Sequence, residues 1–291
     1  MYSNGSPVTQ DQRSRPASWP TALNPPSQYP PATAWRRFSQ TKRSSSADVM
    51  VAARSPQTSS ALNNLAWVRL FQGRKAEAVP LMLQAVGLDS ALLGPSHPIL
   101  ANHLENLGIM YDASGSRDRS IPILRQVLAL RRAGLPDDDP MIGRGLFNLG
   151  QAEHVGGNYA AADTLFAQAL PRMQRAYGME HTDVVWATAS LGRNDYYLGR
   201  RADAERNLRW ALGVTDPDGR ISPRNYVKVA PVLVTLLTEQ RRWAEAEPFA
   251  LRVLAIRDSL QDTLARKAAA QVAEVYEGWG KPERAAAYRR R

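Results

Sequence analysis

Leucine recurs every 42 residues along this chain, at Leu65, Leu107, Leu149, Leu191 and Leu233. Two further columns keep the same period: Gly73, Gly115, Gly157 and Gly199, and Ala78, Ser120, Ala162, Ala204 and Ala246. Three columns sharing one period define an internal repeat. A repeat of this length is one supersecondary unit that buries its apolar face only by stacking on its neighbours. The chain is therefore expected to be a solenoid in which each repeat touches the next. Residues 147–162 are the clearest copy of the unit.

Each unit reads as two helices joined by a tight turn. Leu149 and the apolar positions three and four residues to either side mark the buried stripe of the first helix. The next column, Ala66, Gly108, Gly150, Gly192 and Val234, is mostly small. Glycine inside a helix costs about 1 kcal/mol relative to alanine, so these glycines predict close approach of the second helix. The Gly73 column suits the turn, where positive φ is needed. The Ala78 column lies on the second helix at a close crossing. That helix has its own apolar face, from Ala85, Val127, Ala169, Ala211 and Val253 with Val86, Leu128, Leu170, Leu212 and Leu254. Repeats are expected at about 59–98, 99–140, 141–182, 183–222, 223–262 and 263–291. Pro98 and Pro140 stand where a helix start tolerates proline.

These columns resemble the tetratricopeptide repeat, and the 42-residue period resembles its kinesin-light-chain type, also common in bacterial signalling proteins. The marks are Leu62-Asn63-Asn64-Leu65-Ala66, Gly73-Arg74-Lys75-Ala76-Glu77-Ala78, Gly94-Pro95-Ser96-His97-Pro98 and Arg242-Trp243-Ala244-Glu245-Ala246-Glu247-Pro248. The resemblance covers residues 59–291 and implies an all-α, right-handed α-solenoid of five to six helix-turn-helix repeats. Repeat five departs from the pattern, with Arg241 in the glycine column. Repeat six is out of phase: Val272, Gly280 and Ala285 follow Leu233, Arg241 and Ala246 at a spacing of 39. A last inter-repeat loop three residues shorter than the others is the expected cause.

Composition restricts the chemistry. The chain has 291 residues and no cysteine, which excludes disulfides and thiolate metal sites. No run of 18 apolar residues occurs, so no helix is expected to span a membrane. Net charge is +10. Residues 1–58 hold seven Arg or Lys (Arg13, Arg15, Arg36, Arg37, Lys42, Arg43, Arg54) against Asp11 and Asp48, half of that excess. This stretch is rich in Pro and Ser and lacks periodicity, so it is expected to be a disordered basic tail, with a short helix near Asp48–Arg54. Arg36-Arg37-Phe38 hints at a twin-arginine signal, but Lys42-Arg43-Ser44-Ser45-Ser46 follows where an apolar region is required. The high Ala and Arg content reads as bacterial, and the expected location is cytoplasmic.

Catalytic signatures are missing from the sequence. It has no phosphate-cradling glycine loop, no nucleophile elbow and no His-Glu-x-x-His pattern, so neither an enzyme nor a cofactor is expected. His97 and His181 are two periods apart in equivalent loops, which points to a capping role and away from a metal site. His103 and His154 look isolated, and Asp137-Asp138-Asp139 reads as a solvated acidic turn. Trp210, Trp243 and Trp279 are assigned to packing between helices.

One polar column stands out: Asn64, Asn106 and Asn148, each just before the signature leucine. It lies on the flank of the buried stripe, towards the inner wall built from first helices. Asn offers both donor and acceptor, so an Asn ladder can pair with a peptide main chain whatever its sequence. The resemblance implies the same role, because asparagine at this position binds peptides in similar domains. The competing reading is that these residues bond to the neighbouring repeat. Trp67, Arg144, Gln151, Trp186, Arg193, Lys228 and Lys267 are expected on the same wall, with Arg144, Arg193 and Lys228 selecting acidic character. The expected function is a non-catalytic scaffold or adaptor that holds a peptide segment of a partner protein in a concave groove. The alternatives are a sensor module of a kinase-associated signalling system, a self-assembling solenoid, and anionic-surface or nucleic-acid binding through the basic tail.

Overall fold

The computed structural model describes residues 54–213 and 223–290. The basic stretch up to residue 53 lies outside them, and so does all but Arg54 of the short helix expected near Asp48–Arg54. Among the described residues there are twelve helices and no strand. They are α1 (Pro56–Phe71), α2 (Lys75–Leu93), α3 (Pro98–Ala113), α4 (Arg117–Gly134), α5 (Pro140–Val155), α6 (Tyr159–Tyr177), α7 (Thr182–Tyr197), α8 (Arg201–Gly213), α9 (Pro223–Glu239), α10 (Trp243–Ser259), α11 (Ala265–Gly278) and α12 (Pro282–Arg289). Successive helices pair as six helix-turn-helix repeats, the architecture of an α-solenoid. The first begins at Pro56, capped by Ser55, which accepts from the Thr58 backbone N–H at 3.2 Å.

The chain divides between Asp137 and Asp138 into two compact units. The first contains α1–α4 around a core that includes Ala66, Met82, Leu104, Leu107, Met110 and Val127. The second contains α5–α12. Its largest cluster runs from Val185 to Ala285, with Leu208, Leu233, Val253 and Val272 fully buried.

The turn inside each repeat follows one plan. The first helix ends in a residue of positive φ: Gly73, Gly115, Gly157, Gly199 and Gly280 lie between 73° and 85°. The next backbone N–H then bonds back five residues: Arg74 to Arg69, Ser116 to Tyr111, Asn158 to Glu153, Arg200 to Asp195, Arg242 to Leu237 and Lys281 to Tyr276, all at 2.8–2.9 Å. This is the Schellman arrangement, and it satisfies carbonyls that a helix end leaves open. Arg241 occupies the glycine column in the fifth repeat and takes the same conformation, at φ 58°. The pairing and the crossing of the two helices hold the turn even where the residue type opposes it.

Both small columns lie where the helices meet. Ala78, Ser120, Ala162, Ala204, Ala246 and Ala285 are all buried. A Cβ added at Gly150 would stand 2.7 Å from the Phe166 ring, and one at Gly108 2.8 Å from Leu124. Both are closer than packed carbon atoms sit, so a side chain at either position would force the Phe166 ring or Leu124 to shift.

The connections between repeats are closed by side-chain caps. His97 Nδ1 accepts from the Ile99 N–H at 3.2 Å and His181 Nδ1 from the Asp183 N–H at 3.2 Å. Asp139 fills the equivalent place, accepting from Met141 at 2.7 Å. The recurring histidines are therefore helix caps, and one residue of the acidic turn does the same work.

The shift of the sixth repeat has a different origin from the one expected. The connection from α10 to α11 spans residues 260–264 and is not short. The helices are short instead: α10 has 17 residues against 19 in α2 and α6, and α11 has 14 against 16 in α3, α5 and α7. Gln261 at φ 50° turns the chain early, and Asp262 Oδ1 accepts from the Leu264 N–H at 2.9 Å.

Among the described residues α2 is the one helix long and apolar enough to cross a bilayer by composition. In this fold it packs between α1 and α3, carries Pro80, and holds Asp89 buried against His103 of α3. Unit one also buries an ionic pair: Arg131 of α4 grips Glu105 of α3 through two bonds of 2.5 and 2.9 Å, with Asn102 at 3.1 Å.

Candidate peptide-binding face

The first helices form the wall on which the candidate residues stand. In unit two they repeat one spacing. Arg144, Asn148 and Gln151 on α5, Trp186, Ser190 and Arg193 on α7, and Lys228, Val232 and Thr235 on α9 are each separated by four and then three residues. That spacing puts each trio on one helix face. α5 contacts α7 and α7 contacts α9 directly, so the three faces adjoin.

Specific bonds tie the wall together. Gln151 Nε2 donates to Ser190 Oγ at 2.9 Å, and Ser190 Oγ donates to the Trp186 carbonyl at 2.8 Å. Lys228 Nζ lies 5.6 Å from the centroid of the Trp186 ring, a cation–π contact. Arg144, Asn148 and Lys228 each have further partners, so this part of the wall is an ordered polar surface.

Arg193 differs. Its Nε is buried and has no hydrogen-bond partner, and among the described residues no ion pair forms to its guanidinium. Burial pushes its pKa down, and the neighbouring Tyr197 hydroxyl opposes that shift. A guanidinium nevertheless stays charged in proteins. Arg193 is half-buried, and a buried N–H without an acceptor is unfavourable until one meets it.

Beside Arg193 lies an aromatic cluster. Tyr159 and Tyr197 stack at 4.7 Å, and the His154 ring meets both edge-on at 5.4 and 5.5 Å. Asn194 completes it, its Oδ1 3.0 Å from His154 Nδ1 and its Nδ2 donating to the Tyr159 carbonyl at 3.0 Å. Burial, and then the charge of Arg193, hold His154 below the ordinary imidazole range, against a raising contribution from Asn194.

In unit one the asparagines meet as a chain. Asn106 Nδ2 donates to Asn63 Oδ1 at 2.8 Å, and Asn63 Nδ2 donates to Asn64 Oδ1 at 3.1 Å. Asn64 is exposed and Asn106 half-buried. Trp67 stacks on Phe71 at 5.6 Å. Asn64, Asn106 and Trp67 belong to this unit, whereas Asn148 and the remaining candidates belong to the second. Lys267 is exposed on α11.

A profile of the tetratricopeptide repeat matches residues 57–133 and 142–215, more than half of the chain. The chain is a member of the tetratricopeptide repeat family. Solved structures agree with this repeat fold. A kinesin light chain from Podosopora anserina with nearly identical tetratricopeptide-like repeats is 21% identical, has a TM-score of 0.55, and is covered over 98% of its length by 71% of this chain. BtubC (BKLC) from P. vanneervenii is 18% identical with a TM-score of 0.58, covering 79% of this chain and 88% of its own. Pseudomonas aeruginosa pilF is 16% identical at a TM-score of 0.55, covering 80% and 89%. At these identities the likeness is one of fold. No curated protein matches the chain by sequence. Tetratricopeptide repeats are typically modules of protein–protein interaction, and membership supports that general role.

Sequence reasoning missed several partners. Asn63 links the asparagines of unit one, yet its column is not repeated. His103 and His154, which look isolated, are bonded to Asp89 and Asn194. Asp89 lies in the last turn of a second helix and Asn194 replaces an apolar residue of its column. Both were legible only as polar residues in buried positions. Arg257 was missed too. Pro231 leaves the Val227 carbonyl without its helical donor, and Arg257 Nη2 supplies one at 3.1 Å.

Proposed function

We propose that this tetratricopeptide repeat protein is a scaffold that binds a peptide segment of a partner protein on its wall of first helices, with an acidic residue of that peptide meeting Arg193. The observation that carries the reading is half-buried Arg193, whose buried Nε has no hydrogen-bond partner, among the polar side chains of α5, α7 and α9. Arg144 and Lys228 add positive charge to the same wall. Trp186, half-buried under Lys228, offers an apolar contact. Within unit two Gln151 and Asn148 would contact the peptide main chain, while Asn64, Asn106 and Trp67 make a separate candidate surface in unit one.

Peptide-display selection on the full chain tests this, run beside Arg193→Gln and Asn64→Ala/Asn106→Ala variants of unchanged helicity. A motif with an acidic position is expected from the parent. Arg193→Gln should weaken binding of that peptide about 10–30-fold, the scale of a charge-assisted hydrogen bond. Equal binding by parent and Arg193→Gln would remove Arg193 from the site. Equal binding by the asparagine variant would leave Asn64 and Asn106 as structural links alone.

A further inference from the structure

Neighbouring first helices of unit two are joined by one recurring polar contact. Gln151, Arg193 and Thr235 form a column of period 42. Ser190 and Val232 form a second, which Gln271 continues at the 39-residue spacing of repeat six. A member of the first column on one helix meets a member of the second on the next. Between α5 and α7, Gln151 Nε2 donates to Ser190 Oγ at 2.9 Å. Between α9 and α11, Gln271 Nε2 donates to Thr235 Oγ1 at 3.3 Å and to the Pro231 carbonyl at 3.0 Å. At the middle junction, α7 to α9, the same register sets Arg193 against Val232. Valine has no acceptor, and Val232 packs half-buried against the apolar core of the unit. The buried Nε of Arg193 accordingly has no hydrogen-bond partner. One step of the ladder is open, and its donor is the edge of a guanidinium.

We infer that this open step seats a side-chain carboxylate of the bound peptide, held edge-on by Arg193, and that Val232 is the residue that keeps the seat open. The inference rests on the peptide-binding reading and adds to it the origin of the acid selectivity. Nε–H and one Nη–H of a guanidinium are parallel donors, spaced for the two oxygens of a carboxylate. A peptide carbonyl or side-chain amide offers one oxygen and fills half of that fork. Because Nε is buried and unpaired in the free protein, the cost of leaving it so is relieved only when a ligand brings the acceptor. Arg193 is half-buried, so part of its side chain stays open to a ligand. Ser190 shows what a hydroxyl at position 232 would do. It accepts from Gln151 while giving its own hydrogen to the Trp186 carbonyl four residues back, which closes the step within the protein. Lys228 stands one turn before Val232 on the same face, against the Trp186 ring at 5.6 Å, and puts a second positive charge on that face.

The test compares Val232→Ser with Val232→Ala in the full chain, two variants of similar size that differ by one acceptor. The probe is a hexaglutamate peptide with both ends capped, so that only side-chain carboxylates are offered, and capped hexaglutamine is the control. Parent and Val232→Ala should bind hexaglutamate equally, and Val232→Ser about 3–10-fold more weakly, the scale of one hydrogen bond. NMR gives a readout independent of affinity. The Arg193 Nε–H, assigned by its loss in Arg193→Gln, should exchange with water about 10-fold more slowly in Val232→Ser than in Val232→Ala without peptide, on the same scale. Equal binding by the two variants, or equal exchange of this proton, would overturn the role of Val232. Hexaglutamine bound as tightly as hexaglutamate would overturn the carboxylate. Weaker binding by Arg193→Gln with no difference between the two position-232 variants would sink this inference and keep the peptide-binding reading, whereas Arg193→Gln binding like the parent would end both.

Discussion

At the scale of single residues, the structure records where side chains are held against their preference. Arg241 stands in the left-handed region at φ 58°, in a column otherwise filled by glycine. That conformation costs an L-residue about 1–2 kcal/mol, of which glycine's greater unfolded entropy returns about half. Arg241→Gly should therefore stabilise the fifth repeat by about 0.5–1 kcal/mol. Urea unfolding checks it, and an unchanged or lower midpoint would show that the arginine has a compensating contact. His154 is a second case. Burial lowers its pKa, so between the ordinary value near 6.5 and the lowered one the unfolded chain binds the proton and the folded chain does not. Stability is thus full above about pH 6.5 and falls as pH drops through that window. His154→Gln should flatten this acid slope between about pH 7.5 and 5.5. Parallel slopes for parent and variant would place the acid sensitivity elsewhere.

At the scale of elements, helices here are delimited by their ends more than by their interiors. Six Schellman turns close the first helices, and His97, Asp139 and His181 open α3, α5 and α7. Removing a cap costs about 1 kcal/mol. His97→Ala should lose that amount and fray the first turn of α3, whereas His97→Asp should keep it, since aspartate already serves at 139. Hydrogen exchange at Ile99 reads the effect directly. Equal losses in the two variants would mean that the ring of His97 acts through packing and not as an acceptor. The shortened α10 and α11 teach the same lesson, because an early turn at Gln261 resets the phase of everything after it.

At the scale of the molecule, each helix of unit two packs mainly on its neighbours in sequence, with α5 also touching α7 and α7 touching α9. Such a quasi-linear array transmits a local defect to adjacent repeats and little farther. Leu208 of α8 is fully buried in the cluster between α7 and α9. Leu208→Ala should destabilise by about 2–5 kcal/mol. Exchange should rise most in α7 to α10 and least in α12. A uniform rise through α12 would show that unit two unfolds as one cooperative block.

The repeat, its helices, its glycine turns and its capping histidines were legible in the sequence because each is a local requirement repeated at a fixed spacing. Leu149, Gly157 and Ala162 announce core, turn and crossing wherever they recur. The candidate wall was legible only as a set of positions. Which side chains on it are already engaged depends on neighbours that follow no period. Asn63 bridges Asn64 and Asn106, Ser190 takes Gln151, and Arg193 is left without an anion. Sequence by itself determined the family architecture, since periodic burial of apolar area leaves a helical repeat few alternatives. Only the tertiary structure decided which polar groups pair, because hydrogen bonds are short and directional and turn on the few ångströms that separate one helix from the next.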